Sequence, residues 1–192
     1  MSLYNFCKNT AGVLIKIIYK IEAKNVEKIP KEGKIVICGN HVSLLDPVIV
    51  GIICPRKINF MAKKELFNNI LLRKLFLSIG AFPVDRAKAD VSAIKKSLKL
   101  LKNEEVLGIF PEGTRVKTKD SSNTKAGISM IAIKAKAPVL PVYIDTNYKL
   151  FSKVKINIGD PIFLDEYYGK KNTNEDYKTL SIDIMDKLYS LK

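Results

Sequence analysis

The chain has 192 residues, 47% of them hydrophobic, which suits one folded domain with a sizeable core and excludes a disordered segment. Lys and Arg total 33 against 19 Asp and Glu, a net charge of +14, so the partners to expect are polyanions: nucleic acid, an anionic membrane face or phosphorylated small molecules. The three cysteines, Cys7, Cys38 and Cys54, form no C-x-x-C, and with one histidine they make no recognisable ligand set. The expectation is reduced thiols and no metal.

In chain order, residues 1–22 come first as an amphipathic segment. Leu14, Ile15, Ile17, Ile18 and Ile21 are mixed with Lys8, Lys16 and Lys20. A spanning helix needs ~20 mostly apolar residues, so this one is too short and too charged to cross a bilayer. Its apolar residues cover more than one stripe, which points to a helix in a membrane interface. Residues 23–192 form the main domain. Residues 34–39 make a buried strand ending in Gly39, and Asp46-Pro47 starts a helix with Asp46 as its N-cap. Strands are expected at 58–61, 81–84, 106–110, 139–144 and 153–158. Helices are expected at 65–79, 89–101, 126–135 and 175–191, that at 89–101 burying Val91, Ile94, Leu98 and Leu101. The polar stretch 116–125 reads as a mobile loop. Strands alternate with helices, so the fold class is α/β: a mostly parallel or mixed central sheet flanked by helices, with the amphipathic helix in front.

His41 is the only histidine, five residues before Asp46 in Asn40-His41-Val42-Ser43-Leu44-Leu45-Asp46. Histidine takes and gives protons near neutral pH, with an unperturbed pKa of ~6.5. A carboxylate on one ring nitrogen fixes the tautomer and frees the other nitrogen as a base. The segment spans a strand-to-helix turn, beyond the carboxyl end of a strand, where α/β folds place chemistry. Only four arginines occur, and two of them, Arg86 and Arg115, lie just past predicted strands. Glu112-Gly113-Thr114-Arg115 offers backbone N–H groups, a hydroxyl and a guanidinium within four residues, a grouping that suits a phosphate.

Four windows, Asn40 to Asp46, Gly80 to Arg86, Phe110 to Arg115 and Val139 to Val142, each follow or contain a strand, and all four are expected to open onto one sheet edge. In this order they resemble the blocks of the glycerolipid acyltransferase family, and within it the bacterial 1-acyl-sn-glycerol-3-phosphate acyltransferases. The first is similar to the H-x4-D block, the second to the acceptor-binding block, the third to F-P-E-G-T-R and the fourth to an apolar-proline block. Ala62-Lys63-Lys64-Glu65-Leu66 resembles a lysine-containing segment of the family. The chain departs from the pattern at its ends, where the N-terminal segment is reduced and the C-terminal part generic.

The resemblance implies transfer of an acyl group from a thioester, acyl-CoA or acyl carrier protein, to the free hydroxyl of 1-acyl-sn-glycerol 3-phosphate, giving phosphatidic acid. His41 would be the base and Asp46 its orienting partner. The chain has no G-x-S-x-G elbow, and a thiol leaving group needs little help, so no acyl-enzyme is expected. Arg86, Glu112, Gly113, Thr114 and Arg115 would hold the acceptor, with Glu112 bonding a hydroxyl or bracing an arginine, and Lys63 is a candidate for the oxyanion. No resident cofactor is expected. The membrane partner would be an anionic surface, with peripheral attachment at the cytoplasmic face. The rivals are a sister acyltransferase using another lysolipid or glycerol 3-phosphate, and a non-catalytic basic module. A nucleic-acid partner is not expected, since the chain has no aromatic-rich RNA-binding block, helix-turn-helix or zinc knuckle.

Overall fold

The computed structural model describes residues 3–87, 90–116 and 120–192. Helix α1 (Leu3–Ile18) leads directly into strand β1 (Lys20–Lys24). Strand β2 (Ile35–Gly39) is followed by α2 (Asp46–Ile53), β3 (Ile58–Lys63), α3 (Ile70–Ser78) and β4 (Phe82–Val84). Then come α4 (Val91–Lys102), β5 (Val106–Ile109), α5 (Gly127–Ala135), β6 (Val139–Asp145), β7 (Lys153–Ile158) and α6 (Asn174–Tyr189). The seven strands make one sheet in the order β1-β7-β6-β2-β5-β3-β4. All neighbours are parallel except β6 and β7, which makes the sheet mixed. The α/β class is therefore as the alternation implied.

The central strand β2 is buried at every residue, since parallel strands covered on both faces need apolar side chains throughout. Ile35 and Ile37 face a core built with α1 and α2. Val36 and Cys38 face the other, built with α4, α5 and α6. This division follows from handedness. The β2–α2–β3 and β3–α3–β4 connections both step outward across the sheet, so right-handed crossovers leave α2 and α3 on one face. The β4–α4–β5 connection steps back, and α4 lies on the other face.

The elements depart from the sequence reading in physically legible ways. The amphipathic segment 1–22 is not one helix: its last residues belong to β1, which pairs Lys20 with Lys153 and Glu22 with Lys155. The boundary at 22/23 thus falls inside a strand, and α1 packs on the domain, with Ile15 buried and Gly12 against Ile52. The alternation Lys-Ile-Glu-Ala-Lys carried the strand signal. The stretch 65–79 divides into a 3₁₀ turn (Lys64–Phe67) and α3, whose N-cap is Asn69. In α4 the buried face is Ala93, Ser97, Leu100 and Leu101, and Val91 is exposed. The expected start of that helix at residue 89 lies outside the described residues. So does part of the expected mobile loop 116–125, whose described end holds a 3₁₀ turn at Ser121–Asn123. The apolar-proline block 139–142 does not open onto the sheet edge. It is inside β6, paired with Val36 to Gly39 of β2.

Candidate active site

The site begins where β2 stops. Asn40 turns its side chain into β6, donating from Nδ2 to the Ile144 carbonyl at 3.0 Å and accepting from the Ile144 N–H at 2.7 Å. The side chain thus completes the ladder in place of the main chain, which is free to turn and project His41 past the strand end. Gly39 makes room beneath: a Cβ there would meet the Phe110 ring at 2.8 Å. Phe110 occupies that space and stacks on the His41 imidazole, with centroids 4.5 Å apart and planes at 25°. Phe60 stacks behind it at 5.8 Å, placing His41 on the α1/α2 side of the sheet.

His41 Nδ1 lies 2.9 Å from Asp46 Oδ2. The same oxygen accepts the N–H groups of Val42 and Ser43, both at 2.7 Å. Asp46 is fully buried and His41 6% exposed. Asp46 was expected to cap its own helix, but the N-cap is Leu45, Asp46 is the first helical residue, and Pro47 follows. Its carboxylate reaches back to the preceding turn instead. That bonding makes the five-residue spacing a closed loop rather than a helix face. With the proton on Nδ1, Nε2 keeps its lone pair for a substrate hydroxyl.

Two tyrosines that the sequence reading did not single out complete the arrangement. Tyr148, in the β6–β7 loop, donates its hydroxyl to Asp46 Oδ1. Burial, then the charge of Asp46, pushes its phenol up, so it remains a donor. Its backbone sits in the left-handed region at φ 50°, uncommon for a bulky residue, and its ring meets Tyr19 edge-on at 5.7 Å. Tyr189, near the end of α6, donates to Glu112 Oε1 at 2.6 Å. The other oxygen, Oε2, accepts the His41 N–H at 2.6 Å. Burial raises the Glu112 carboxyl. Both oxygens of Glu112 are thus engaged, in place of the arginine or acceptor hydroxyl expected for it, and the residue fixes the backbone that carries the imidazole. Nothing local in the sequence marks these tyrosines, since their partners lie 102 and 77 residues away.

The Phe110–Arg115 turn folds against the His41 loop, with the Val116 N–H donating to the His41 carbonyl at 2.9 Å. Gly113 takes φ +67°, a conformation that favours glycine. Its carbonyl accepts from Arg86 Nη1 at 2.8 Å, and the Arg86 carbonyl accepts from Lys125 Nζ at 3.0 Å. Burial lowers the Arg86 guanidinium from its usual range. Structure thus brings Arg86 and Gly113 together. Thr114 and Arg115 are exposed on the same turn. Lys63 is exposed at the end of β3 with its ammonium 3.6 Å from Glu65, so its recorded contact is with that carboxylate and not with the His41 turn. Beside Arg86, a mainly apolar cavity of about 270 Å³ is lined by Met61, Val84, Ile94, Ile109, Ile128 and Ile131. Among the described residues no group of His, Cys, Asp and Glu is placed to hold a metal ion.

A buried histidine–carboxylate pair thus stands just past the carboxyl end of the parallel strand β2. The acyltransferase family model matches residues 20–145, and the chain belongs to this family. A 1-acyl-sn-glycerol-3-phosphate acyltransferase of Bacillus subtilis is 37% identical over 166 residues, covering 83% of this chain and 82% of that protein. One from Streptococcus pneumoniae is 32% identical over 182 residues, covering 88% of this chain and 67% of that one. The crystal structure of the 1-acyl-sn-glycerophosphate (LPA) acyltransferase PlsC from Thermotoga maritima superposes with a TM-score of 0.72 at 25% identity, covering 98% of this chain and 80% of that chain.

Proposed function

We propose that this acyltransferase moves a fatty acyl group from an acyl thioester to the free hydroxyl of 1-acyl-sn-glycerol 3-phosphate, giving phosphatidic acid. The observation that carries the mechanism is the 2.9 Å contact of the buried His41 and Asp46, with Nε2 left over. The acceptor follows the names of the similar enzymes from Bacillus subtilis and Streptococcus pneumoniae.

In this reading His41 Nε2 takes the proton of the acceptor hydroxyl as its oxygen attacks the thioester carbonyl. Asp46 stabilises the imidazolium that forms. The tetrahedral intermediate collapses by breaking the C–S bond, and the imidazolium returns its proton to the leaving sulfur. One base serves both steps, so no serine ester is needed. Arg86, held by Gly113, and Arg115 on the same turn supply positive charge for the acceptor phosphate. The cavity beside Arg86 suits an acyl chain, being lined chiefly by aliphatic side chains. The thioester, from coenzyme A or acyl carrier protein, is a co-substrate.

Among the described residues no helix is long and apolar enough to cross a membrane. Helix α1 exposes Leu3, Phe6, Val13, Leu14 and Ile17 while burying Ile15, so its outer face is apolar. We assign it to peripheral attachment at an anionic membrane surface, on the cytoplasmic side where acyl thioesters are found.

The test is acyl transfer by purified protein in detergent, offered both thioester types and an acceptor panel. 1-Acyl-sn-glycerol 3-phosphate should be the preferred acceptor. Preference for glycerol 3-phosphate or for a lysolipid lacking an exposed phosphomonoester would reassign the substrate while leaving the family in place.

A further inference from the structure

Helix α3 is the least covered element of the fold. It has no buried residue. Ile70 is 68% and Leu71 73% exposed, and Leu72, Leu75 and Leu77 are exposed as well. A nine-residue helix is marginal in water without packing. It is held by the Asn69 cap at one end and by Phe76 against Phe67, with ring centroids 5.7 Å apart. Its exposed apolar residues do not form a single stripe. At 100° per residue, Leu71, Leu72 and Leu75 share one side, and Ile70 and Leu77 lie on the other. A groove on a protein partner would cover only one of these sides, whereas immersion in hydrocarbon covers both. The charge agrees: α3 contains Arg73 and Lys74, both exposed, and no acidic residue. Long basic side chains of this kind extend from an apolar surface to anionic head groups.

The position of α3 gives this a direction. Crossover handedness puts it on the α1/α2 side of the sheet, the side of His41. Exposed Lys57 lies between α1 and the end of α3. Its Nζ lies 5.6 Å from the Tyr4 ring of α1, and its stem lies against Gly80, just after α3. Leu44, three residues from His41, and Val48 on α2 are exposed too. We propose that α3 is a second lipid-inserting element, which with α1 seats the catalytic face on an anionic bilayer and brings Leu44 and the mouth of the site down to the lipid. The proposal rests on the membrane reading of α1 but adds an independent contact.

The chain contains no tryptophan, so single reporters can be introduced one at a time. Leu71→Trp in α3, Leu14→Trp in α1 and Lys96→Trp at an exposed position of α4, across the sheet, are each mixed with phosphatidylglycerol vesicles carrying brominated acyl chains. Leu71→Trp and Leu14→Trp should shift to the blue and be quenched, and Lys96→Trp should not. Quenching at Leu14→Trp without quenching at Leu71→Trp overturns the role of α3 and leaves that of α1. Absence of quenching at both sites refutes both assignments. A blue shift at Leu71→Trp that needs no lipid and grows with protein concentration also overturns the proposal, by making α3 a face between copies. As a second reading, Leu71→Glu with Leu75→Glu should weaken vesicle binding by about tenfold or more while transfer to a detergent-dispersed acceptor is kept. Unchanged vesicle binding by this folded double variant contradicts the assignment.

Discussion

Four donors converge on the Asp46 carboxylate: the His41 ring, two backbone N–H groups and the Tyr148 hydroxyl. An amide at this position keeps one acceptor oxygen but turns donors against donors. Asp46→Asn should therefore lower kcat by about a hundredfold or more with little change in acceptor KM, because the imidazole loses the partner that sets its tautomer. Tyr148→Phe removes one donor and leaves the other three, so the expected loss in kcat is about three- to tenfold. A Tyr148→Phe loss confined to KM would place that tyrosine with substrate rather than behind Asp46. The two arginines should differ. Arg86 is half-buried and fixed to Gly113, and Arg115 is exposed. Arg86→Ala should cost about 1.5–3 kcal/mol in kcat/KM for a phosphate-bearing acceptor, and Arg115→Ala less. Equal kinetics of both variants and wild type would move the phosphate site elsewhere. At this scale the sequence showed the dyad plainly, since His41 has no competitor and lies one short turn from Asp46. It did not show Tyr148 or Tyr189, whose partners are brought near only by the sheet and by α6.

Among the elements, α4 depends on a cap that titrates. Asp90 accepts from the Ser92 and Ala93 N–H groups and from the Asp85 N–H, tying the helix start to the strand end that carries Arg86. The Asp85 N–H, the Ser92 hydroxyl and the Ala93 N–H hold its carboxyl down, at about 2. A carboxyl depressed in the folded state contributes stability above its unfolded value of ~3.9, and that contribution is lost as pH falls towards 2. Asp90→Ala should lower stability by about 1 kcal/mol at neutral pH, and the difference from wild type should shrink between about pH 4 and 2. Urea unfolding at several pH values measures both; a constant difference across that range would show that the cap is not the cause. The elements most legible in the sequence were those whose residues face one environment along their length, such as buried β2 and alternating β7. Those misplaced had divided allegiance. Lys20 to Lys24 follow an apolar helix without a glycine or proline to mark the break, and α4 buries Ala93 and Ser97 because close packing against the sheet favours small side chains there.

For the molecule as a whole, the right-handed connections separate two faces, α1, α2 and α3 on one and α4, α5 and α6 on the other. The apolar exposure of α1 and α3 falls on the face that carries His41. Composition gave the +14 charge but not its placement, which depends on that crossover geometry. Because β1 is part of the sheet and α1 buries Ile15, removing the N-terminal segment would disturb the fold, and placing acidic residues on the exposed face of α1 is the cleaner probe. Leu14→Glu with Ile17→Glu should weaken binding to anionic vesicles and lower activity there, while activity on a detergent-dispersed acceptor is retained. Wild-type binding should weaken with salt yet persist in part, since salt screens the lysines and not the apolar contact. Binding abolished outright by salt would assign attachment to charge alone. The central claim is that one histidine performs the transfer, and it has a direct measurement: release of thiol from an acyl thioester with 1-acyl-sn-glycerol 3-phosphate, for folded wild type and folded His41→Ala side by side. Wild type should give phosphatidic acid and the variant should lose transfer, since the chain holds no other histidine. Retention of more than a few per cent of the wild-type rate by His41→Ala would contradict it.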